Sequence, residues 1–154
     1  MTAGFVDLAP VVTDRTDLVI VDPGRLWAVL ADVAAYPAFW PWLQDFDGRD
    51  LRAGVRWRGV IDVIGPLGLA VTVHLDEVVA GRSVTAHLAG DLSGTARVEL
   101  RPDGRGTALR LTAALVPERR TLRALTRVAR PLAQASHDRV IARALAQLVA
   151  HLPP

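Results

Sequence analysis

Residues 55–63 have the sequence Val-Arg-Trp-Arg-Gly-Val-Ile-Asp-Val, in which apolar or small side chains mostly alternate with charged ones. Successive side chains of a β-strand point to opposite faces, so this pattern predicts a strand with one apolar and one polar face. The alternation recurs in four further stretches, at residues 69–76, 84–88, 95–100 and 109–115. Turn signals separate the stretches at residues 65–68, 80–82, 93–94 and 102–104. Consecutive strands with short turns predict an antiparallel meander that is covered on one face.

The flanks of this meander predict one more strand and several helices. The apolar run at residues 18–21, within residues 13–22, is typical of a strand. Asp22 is a predicted N-cap and Pro23 a predicted first helical residue, and we expect Tyr36-Pro37 to end or redirect that helix. The chain closes in a helical pattern over residues 118–152, which is the available cover for the apolar face of the sheet.

The C-terminal pattern contains two apolar stripes that one straight helix cannot bury together. The first stripe consists of Leu122, Leu125 and Ala129, opposite the arginines at positions 119, 120, 123, 127 and 130. The second consists of Ile141, Ala144, Leu145, Leu148 and Leu152, and it is rotated by roughly a quarter turn from the first. Because proline removes a helical hydrogen bond and clashes with the preceding turn, we expect a kink near Pro131.

Composition bounds the remaining possibilities. The 154 residues suit a single domain over residues 1–154. There is no cysteine, which excludes a disulfide scaffold and cysteine-ligated metal sites, and the net charge is only +2. We find no secretory signal and no apolar run of about 18 residues that could span a membrane, and therefore expect a cytoplasmic protein. His74, His87 and His151 are scattered, so neither a metal site nor a cofactor is predicted.

The segment 26–42 resembles a known family. Its sequence, and above all Asp32-Val33, Tyr36-Pro37, Phe39 and Pro41-Trp42, is similar to the opening of START-like (SRPBCC) proteins of the polyketide cyclase and lipid transport superfamily, in particular its coenzyme-Q-binding branch. The resemblance implies an α+β helix-grip fold, in which a curved antiparallel sheet of β-α-α-β6-α order wraps around a long C-terminal helix. It also implies an internal cavity.

By strict alternation the apolar face of the meander contains no ionisable group, and such a lining favours apolar binding over proton-transfer chemistry. Small residues at positions 59, 86, 96 and 113 leave volume beside the sheet, which indicates either a ligand cavity or a tightly packed core. The predicted ligand-binding residues are Trp40, Trp57, Gly59, Ile61, Val71, Val73, Ala86, Leu88, Val98, Leu111, Ala113, His137 and Ile141.

Three functions stay open at this stage. The first is binding or transport of a hydrophobic small molecule such as a lipid, quinone or polyketide. The second is a polyketide cyclase or aromatase, for which His137 and Arg58 are the catalytic candidates. Alternation directs Arg58 away from the apolar face, and a bulge at Gly59 would be needed to turn it inward. For His137 the sequence favours a core histidine bonded to backbone over a catalytic one. The third is a protein or membrane interaction module.

Nucleic-acid binding is not predicted, because no exposed aromatic residues are interleaved with the arginines.

The basic segment gives the first testable prediction. We expect Arg119, Arg120, Arg123 and Arg127 to contact anionic membrane surfaces transiently. In liposome flotation the protein should then float with vesicles that contain anionic lipid and stay behind with neutral vesicles. Equal recovery with both kinds of vesicle would instead assign these arginines to a solvated helix face.

Overall fold

Seven antiparallel strands form one sheet in the order β1-β7-β6-β5-β4-β3-β2. The computed structural model describes residues 10–64, 67–118 and 130–152. Each hairpin of the meander pairs neighbouring strands along the chain, and β1 joins the far edge beside β7. The strands are β1 Val11–Val19, β2 Leu43–Gln44, β3 Arg56–Ile64, β4 Leu67–Val79, β5 Ser83–Gly90, β6 Leu92–Asp103 and β7 Gly106–Pro117.

Helices lie between β1 and β2 and after β7. The first group is α1 Pro23–Ala31, a 3₁₀ turn Val33–Ala35 and α2 Tyr36–Phe39, and the last helix is α3 Arg130–His151. The predicted cap is confirmed, since Asp22 Oδ1 accepts a hydrogen bond of 3.0 Å from the Arg25 amide. The predicted helix end is wrong. Helix α1 already ends at Ala31, and Tyr36-Pro37 begins α2, where proline loses no helical hydrogen bond.

The β-α-α-β6-α helix-grip order is confirmed. The turn predicted at residues 80–82 lies between β4 and β5, as expected. The hairpin predicted at residues 102–104 is also present, but Pro102 and Asp103 still belong to β6, and the turn falls at Gly104 and Arg105.

Of the turn predicted at residues 65–68, Gly65 and Pro66 lie outside the described residues, whereas Leu67 and Gly68 already belong to β4. Residues 119–129, which contain the predicted basic helix, also lie outside the described residues, so the kink near Pro131 stays a prediction.

The turn predicted at residues 93–94 is wrong. Ser93 and Gly94 lie inside β6, opposite Val116 and Leu115. Gly94 has a φ of 138°, and an added Cβ would collide with the carbonyl oxygen of Ala114. Glycine is therefore required here because the backbones of β6 and β7 approach each other closely. The turn itself falls at Asp91, whose carboxylate Oδ2 accepts a hydrogen bond of 2.9 Å from the Ala70 amide.

Strand β1 also differs from its prediction. It starts at Val11 and ends at Val19, whereas the apolar run at residues 18–21 suggested a later strand. Ile20 lies beyond the strand and is 72% exposed. The longer β1 brings residues 11–17 into the sheet, and their alternate side chains become part of its inner face.

The core lies at one end of the sheet, where α1, α2 and the last turns of α3 meet it. Its buried members are Val19, Leu26, Val33, Tyr36, Phe39, Leu100, Leu109 and Leu148. Two indole groups fix α3 there: Trp40 Nε1 donates to the Ala144 carbonyl at 2.9 Å, and Trp42 Nε1 donates to Gln147 Oε1 at 2.8 Å. The C-terminal half of α3 is therefore held by both packing and hydrogen bonds.

Leu26 is fully buried in this core, so its truncation should leave a cavity. We expect Leu26→Ala to lower the free energy of unfolding by about 2–5 kcal/mol in chemical denaturation. The matched control is Val149→Ala, an exposed position of α3, which should change it by no more than about 0.5 kcal/mol. A loss below about 1 kcal/mol for Leu26→Ala would contradict the assigned core.

Candidate functional site

A row of alanines crosses the middle of the inner face of the sheet. Ala86 on β5 is paired with Ala96 on β6, and Ala96 with Ala113 on β7. Ala113 in turn is paired with Thr13 on β1, whose hydroxyl contacts His137 of α3. Directly paired residues point to the same side of a sheet, so this alanine row faces the side that carries α3. It contributes only methyl groups there.

The strand residues predicted for ligand binding share this inner face. The pairing of Trp57 with Val73 and of Val73 with Leu88 defines one row, and the pairing of Val98 with Leu111 extends another. Among the predicted residues Gly59, Val71 and Ala86 are buried, while the others are partly exposed: Trp40, Trp57, Ile61, Val73, Leu88, Val98, Leu111, Ala113, His137 and Ile141.

Several of the predicted residues have packing partners within the chain, and Val98, Trp40 and Trp57 all pack against the core. Trp40 and Trp57 lie edge-on to Tyr36, with ring centroids 5.1 and 5.8 Å away, and form one wall of the inner face. An added Cβ at Gly59 would lie 3.2 Å from Leu43 Cδ1 and 3.3 Å from a Phe46 ring carbon. The space that we expected Gly59 to leave for a ligand is therefore taken by the chain's own side chains.

The expectation of an uncharged inner face does not hold at β1. Because β1 begins at Val11, the alternation turns Thr13, Arg15 and Asp17 inward, in register with Ala113, Leu111 and Leu109. Arg15 donates to Asp17 from Nε at 2.6 Å and from Nη2 at 3.0 Å. This bidentate contact is the leading cause that raises the pKa of Arg15, and Asp138 of α3 adds to it electrostatically.

A Thr13–His137 pair joins β1 to α3. Thr13 is buried, and its Oγ1 forms a hydrogen bond with His137 Nε2. Burial lowers the pKa of His137, and this effect exceeds the opposing attraction of Asp138, so the imidazole is neutral at pH 7. Gln134, one helical turn earlier, donates from Nε2 to the Val12 carbonyl at 2.8 Å and holds α3 against the edge of β1.

Arg58 lies on the outer face, as alternation directs, and no bulge at Gly59 turns it inward. The pairing of Gly59 with Val71 is regular, and the irregularity of β3 falls later, between Ile61 and Ile64. The Arg58 guanidinium is exposed, with Nε 3.6 Å from Asp47 Oδ2. It cannot act together with His137, which lies on the inner side of the sheet.

The other three histidines lie away from the Thr13–His137 pair. The rings of His74 and His87 stack with centroids 4.5 Å apart, and His87 Nδ1 lies 2.7 Å from Asp76 Oδ1. His151 stacks on Phe39 near the end of α3. Within the part of the chain that the structure describes, no group of three or more His, Asp or Glu side chains is arranged to hold a metal ion.

Comparisons with known proteins give structural matches. No protein-family model and no curated protein matches the sequence. The Zhui aromatase/cyclase from Streptomyces sp. R1128 superposes with a TM-score of 0.74 at 19% identity, over 92% of each chain. A START superfamily protein from Mycobacterium smegmatis gives a TM-score of 0.70 at 15% identity, over 92% of this chain and 96% of that chain. The chain has the helix-grip fold of the START superfamily.

This START-like fold is also that of a protein from Chromobacterium violaceum, with a TM-score of 0.70 at 16% identity, over 93% of this chain and 98% of that chain. At identities this low, the structural matches show the fold alone. In the described residues, no helix is both long enough and apolar enough to cross a bilayer.

The pKa of His137 provides a direct test of the partly buried position of this side chain beside Thr13. Because the pKa is lower in the folded than in the unfolded chain, the folded state takes up the proton less readily. The contribution to stability is therefore complete above the unfolded pKa of about 6.5 and is lost as the pH falls towards the folded pKa.

An NMR titration of the imidazole should accordingly give a His137 pKa below 6.5. The stability advantage of the wild type over His137→Gln should shrink as the pH is lowered from 8 towards 5, because only the wild type loses the neutral imidazole. The loss amounts to about 1.4 kcal/mol for each tenfold difference in proton affinity between the folded and the unfolded chain. A titrating pKa above 6.5, or an advantage that grows on acidification, would show that His137 is not in the desolvated position described.

Proposed function

We propose that this chain binds and carries a hydrophobic small molecule between the inner face of its sheet and α3. The observation that carries the proposal is the partial exposure of Val73, Leu88, Val98 and Leu111, which lie on central strands and face the covered side of the sheet. Apolar side chains in the middle of a fully packed layer would be buried. Their remaining exposure, together with the small volume of the alanine row, leaves apolar surface for a ligand to cover.

The energy for binding comes from removing apolar surface from water. Each Å² buried contributes about 25 cal/mol, so a ligand with about 300 Å² of apolar surface gains roughly 7 kcal/mol before the costs of immobilisation. Hydrophobic ligands are common for this fold, and lipids, quinones and polyketides are the candidate classes. The similarity of residues 26–42 to the coenzyme-Q-binding branch favours a quinone, and the structural match to an aromatase/cyclase favours a polyketide.

A second candidate function is a cyclase or aromatase, which one observation favours. His137 is a neutral imidazole beside the inner face and is bonded to a hydroxyl group, as a general base would be. Arg58, its expected companion, lies on the other face. Mass spectrometry of a polyketide incubated with the protein separates the two functions: a carrier returns the molecule unchanged, whereas a cyclase returns a ring-closed product.

The proposed carrier works in the cytoplasm. It would collect its ligand at a membrane surface through the arginines at positions 119, 120, 123 and 127, which lie outside the described residues. A carrier of this kind needs contact with the membrane only while it loads or unloads, and a weak electrostatic attraction suffices for that.

Filling the space above the alanine row should weaken ligand binding. We expect Ala113→Leu to reduce the affinity for the neutral fluorescent probe N-phenyl-1-naphthylamine by about tenfold or more, since overpacking costs about 1–3 kcal/mol. The matched control is Ala114→Leu, one residue along the same strand and on its opposite face. The proposal fails if the wild type does not bind the probe, or if both variants weaken binding equally.

A further inference from the structure

The polar residues of β1 lie at the end of the alanine row. Thr13 is the direct pairing partner of Ala113, and it is buried although its side chain is polar. A ligand that covers the alanine row would therefore reach Thr13 at the boundary of its apolar contact. Buried polar groups at such a boundary fix the orientation of an otherwise apolar ligand.

His137 has hydrogen-bonding capacity that the described residues do not use. Its Nε2 is bonded to Thr13 Oγ1, and no described residue bonds to its Nδ1. In a neutral imidazole one nitrogen donates and the other accepts, so Nδ1 takes the role opposite to that of Nε2. A hydroxyl group both donates and accepts, and hence it fits Nδ1 in either tautomer.

The charges around this pair disfavour an anion. Arg15 is engaged by Asp17 through two hydrogen bonds, and Asp138 lies next to His137 on α3. Asp138 accepts a hydrogen bond of 2.9 Å from Gln134, a neutral residue. The Arg15–Asp17 ion pair has no net charge, so the carboxylate that acts on the surroundings of His137 is that of Asp138. A ligand carboxylate placed there would be repelled, whereas a neutral hydrogen-bonding group would not.

We propose that the Thr13–His137 pair is the polar end of the ligand site and binds the hydroxyl group of an otherwise apolar, uncharged molecule, while the adjoining Asp138 disfavours carboxylates. The inference rests on the proposed function, because it needs a ligand on the inner face. It narrows the expected ligands from hydrophobic molecules in general to apolar alcohols and phenols, and it excludes anions such as fatty acids.

Three probes of nearly equal size test the proposal: naphthalene, 2-naphthol and 2-naphthoate. Their dissociation constants would be measured at pH 7 by competition with N-phenyl-1-naphthylamine. We expect 2-naphthol to bind about three to tenfold more tightly than naphthalene, as one additional neutral hydrogen bond gives. 2-Naphthoate should bind at least about tenfold more weakly than 2-naphthol.

Substitutions of Thr13 and His137 test whether this pair causes the preference for 2-naphthol over naphthalene. In Thr13→Val and in His137→Phe the ratio of the naphthalene to the 2-naphthol dissociation constant should fall to about one. Thr13→Ser, which keeps the hydroxyl group, should retain the preference and serves if the valine variant does not fold. Thr16→Val is the matched control, since Thr16 lies on the same strand, is exposed and points to the other face.

The outcomes separate the two proposals. Three results would contradict the polar end and leave hydrophobic ligand binding intact. The first is equal binding of naphthalene and 2-naphthol to the wild type, and the second is equal binding of 2-naphthoate and 2-naphthol. The third is a preference for 2-naphthol over naphthalene that survives in Thr13→Val and His137→Phe. If N-phenyl-1-naphthylamine itself does not bind the wild type, hydrophobic ligand binding fails and the polar end fails with it.

Discussion

A seven-stranded sheet with one apolar face needs a cover, and in the described part of this chain α1, the aromatic segment at residues 36–46 and the 22-residue helix α3 provide it. The aromatic segment and the last turns of α3 pack on one end of the sheet and form the core there. The first turns of α3 instead meet the edge strand β1 through polar contacts of Gln134 and His137. In the described residues, the cover of the sheet is therefore apolar at one end and polar at the other.

Much of this arrangement is encoded locally and could be predicted from the sequence. Alternation identified β3 to β7, because apolar and polar side chains that alternate over five or more residues between turn signals are typical of a strand with one covered face. The Asp22-Pro23 pair identified the start of α1, since both residues act through their own side chains. The order of elements needed the resemblance of residues 26–42 to the START-like family, for a two-residue strand such as β2 leaves no periodic signal.

The predictions that failed depended on partners distant in sequence. Gly94 looked like a turn residue, but it is required where the backbone of β7 approaches, and nothing near it in sequence reveals that approach. Strand β1 was placed by its apolar run, whereas its true extent is set by nine paired positions on β7. Recognising alternation over Val11, Thr13, Arg15, Asp17 and Val19 would have identified the polar residues of the inner face, although such a mixed pattern does not distinguish a strand face from a loop.

The contact of Gln134 with β1 has a consequence for self-association. An edge strand exposes unpaired amide and carbonyl groups that can template pairing with a second chain. Gln134 occupies both groups of Val12, accepting from its amide at 3.3 Å and donating to its carbonyl at 2.8 Å, and the opposite edge strand is only two residues long. At Val12 the side chain of a single glutamine thus occupies the two backbone groups that a second chain would need, so this position of the β1 edge is closed to strand pairing.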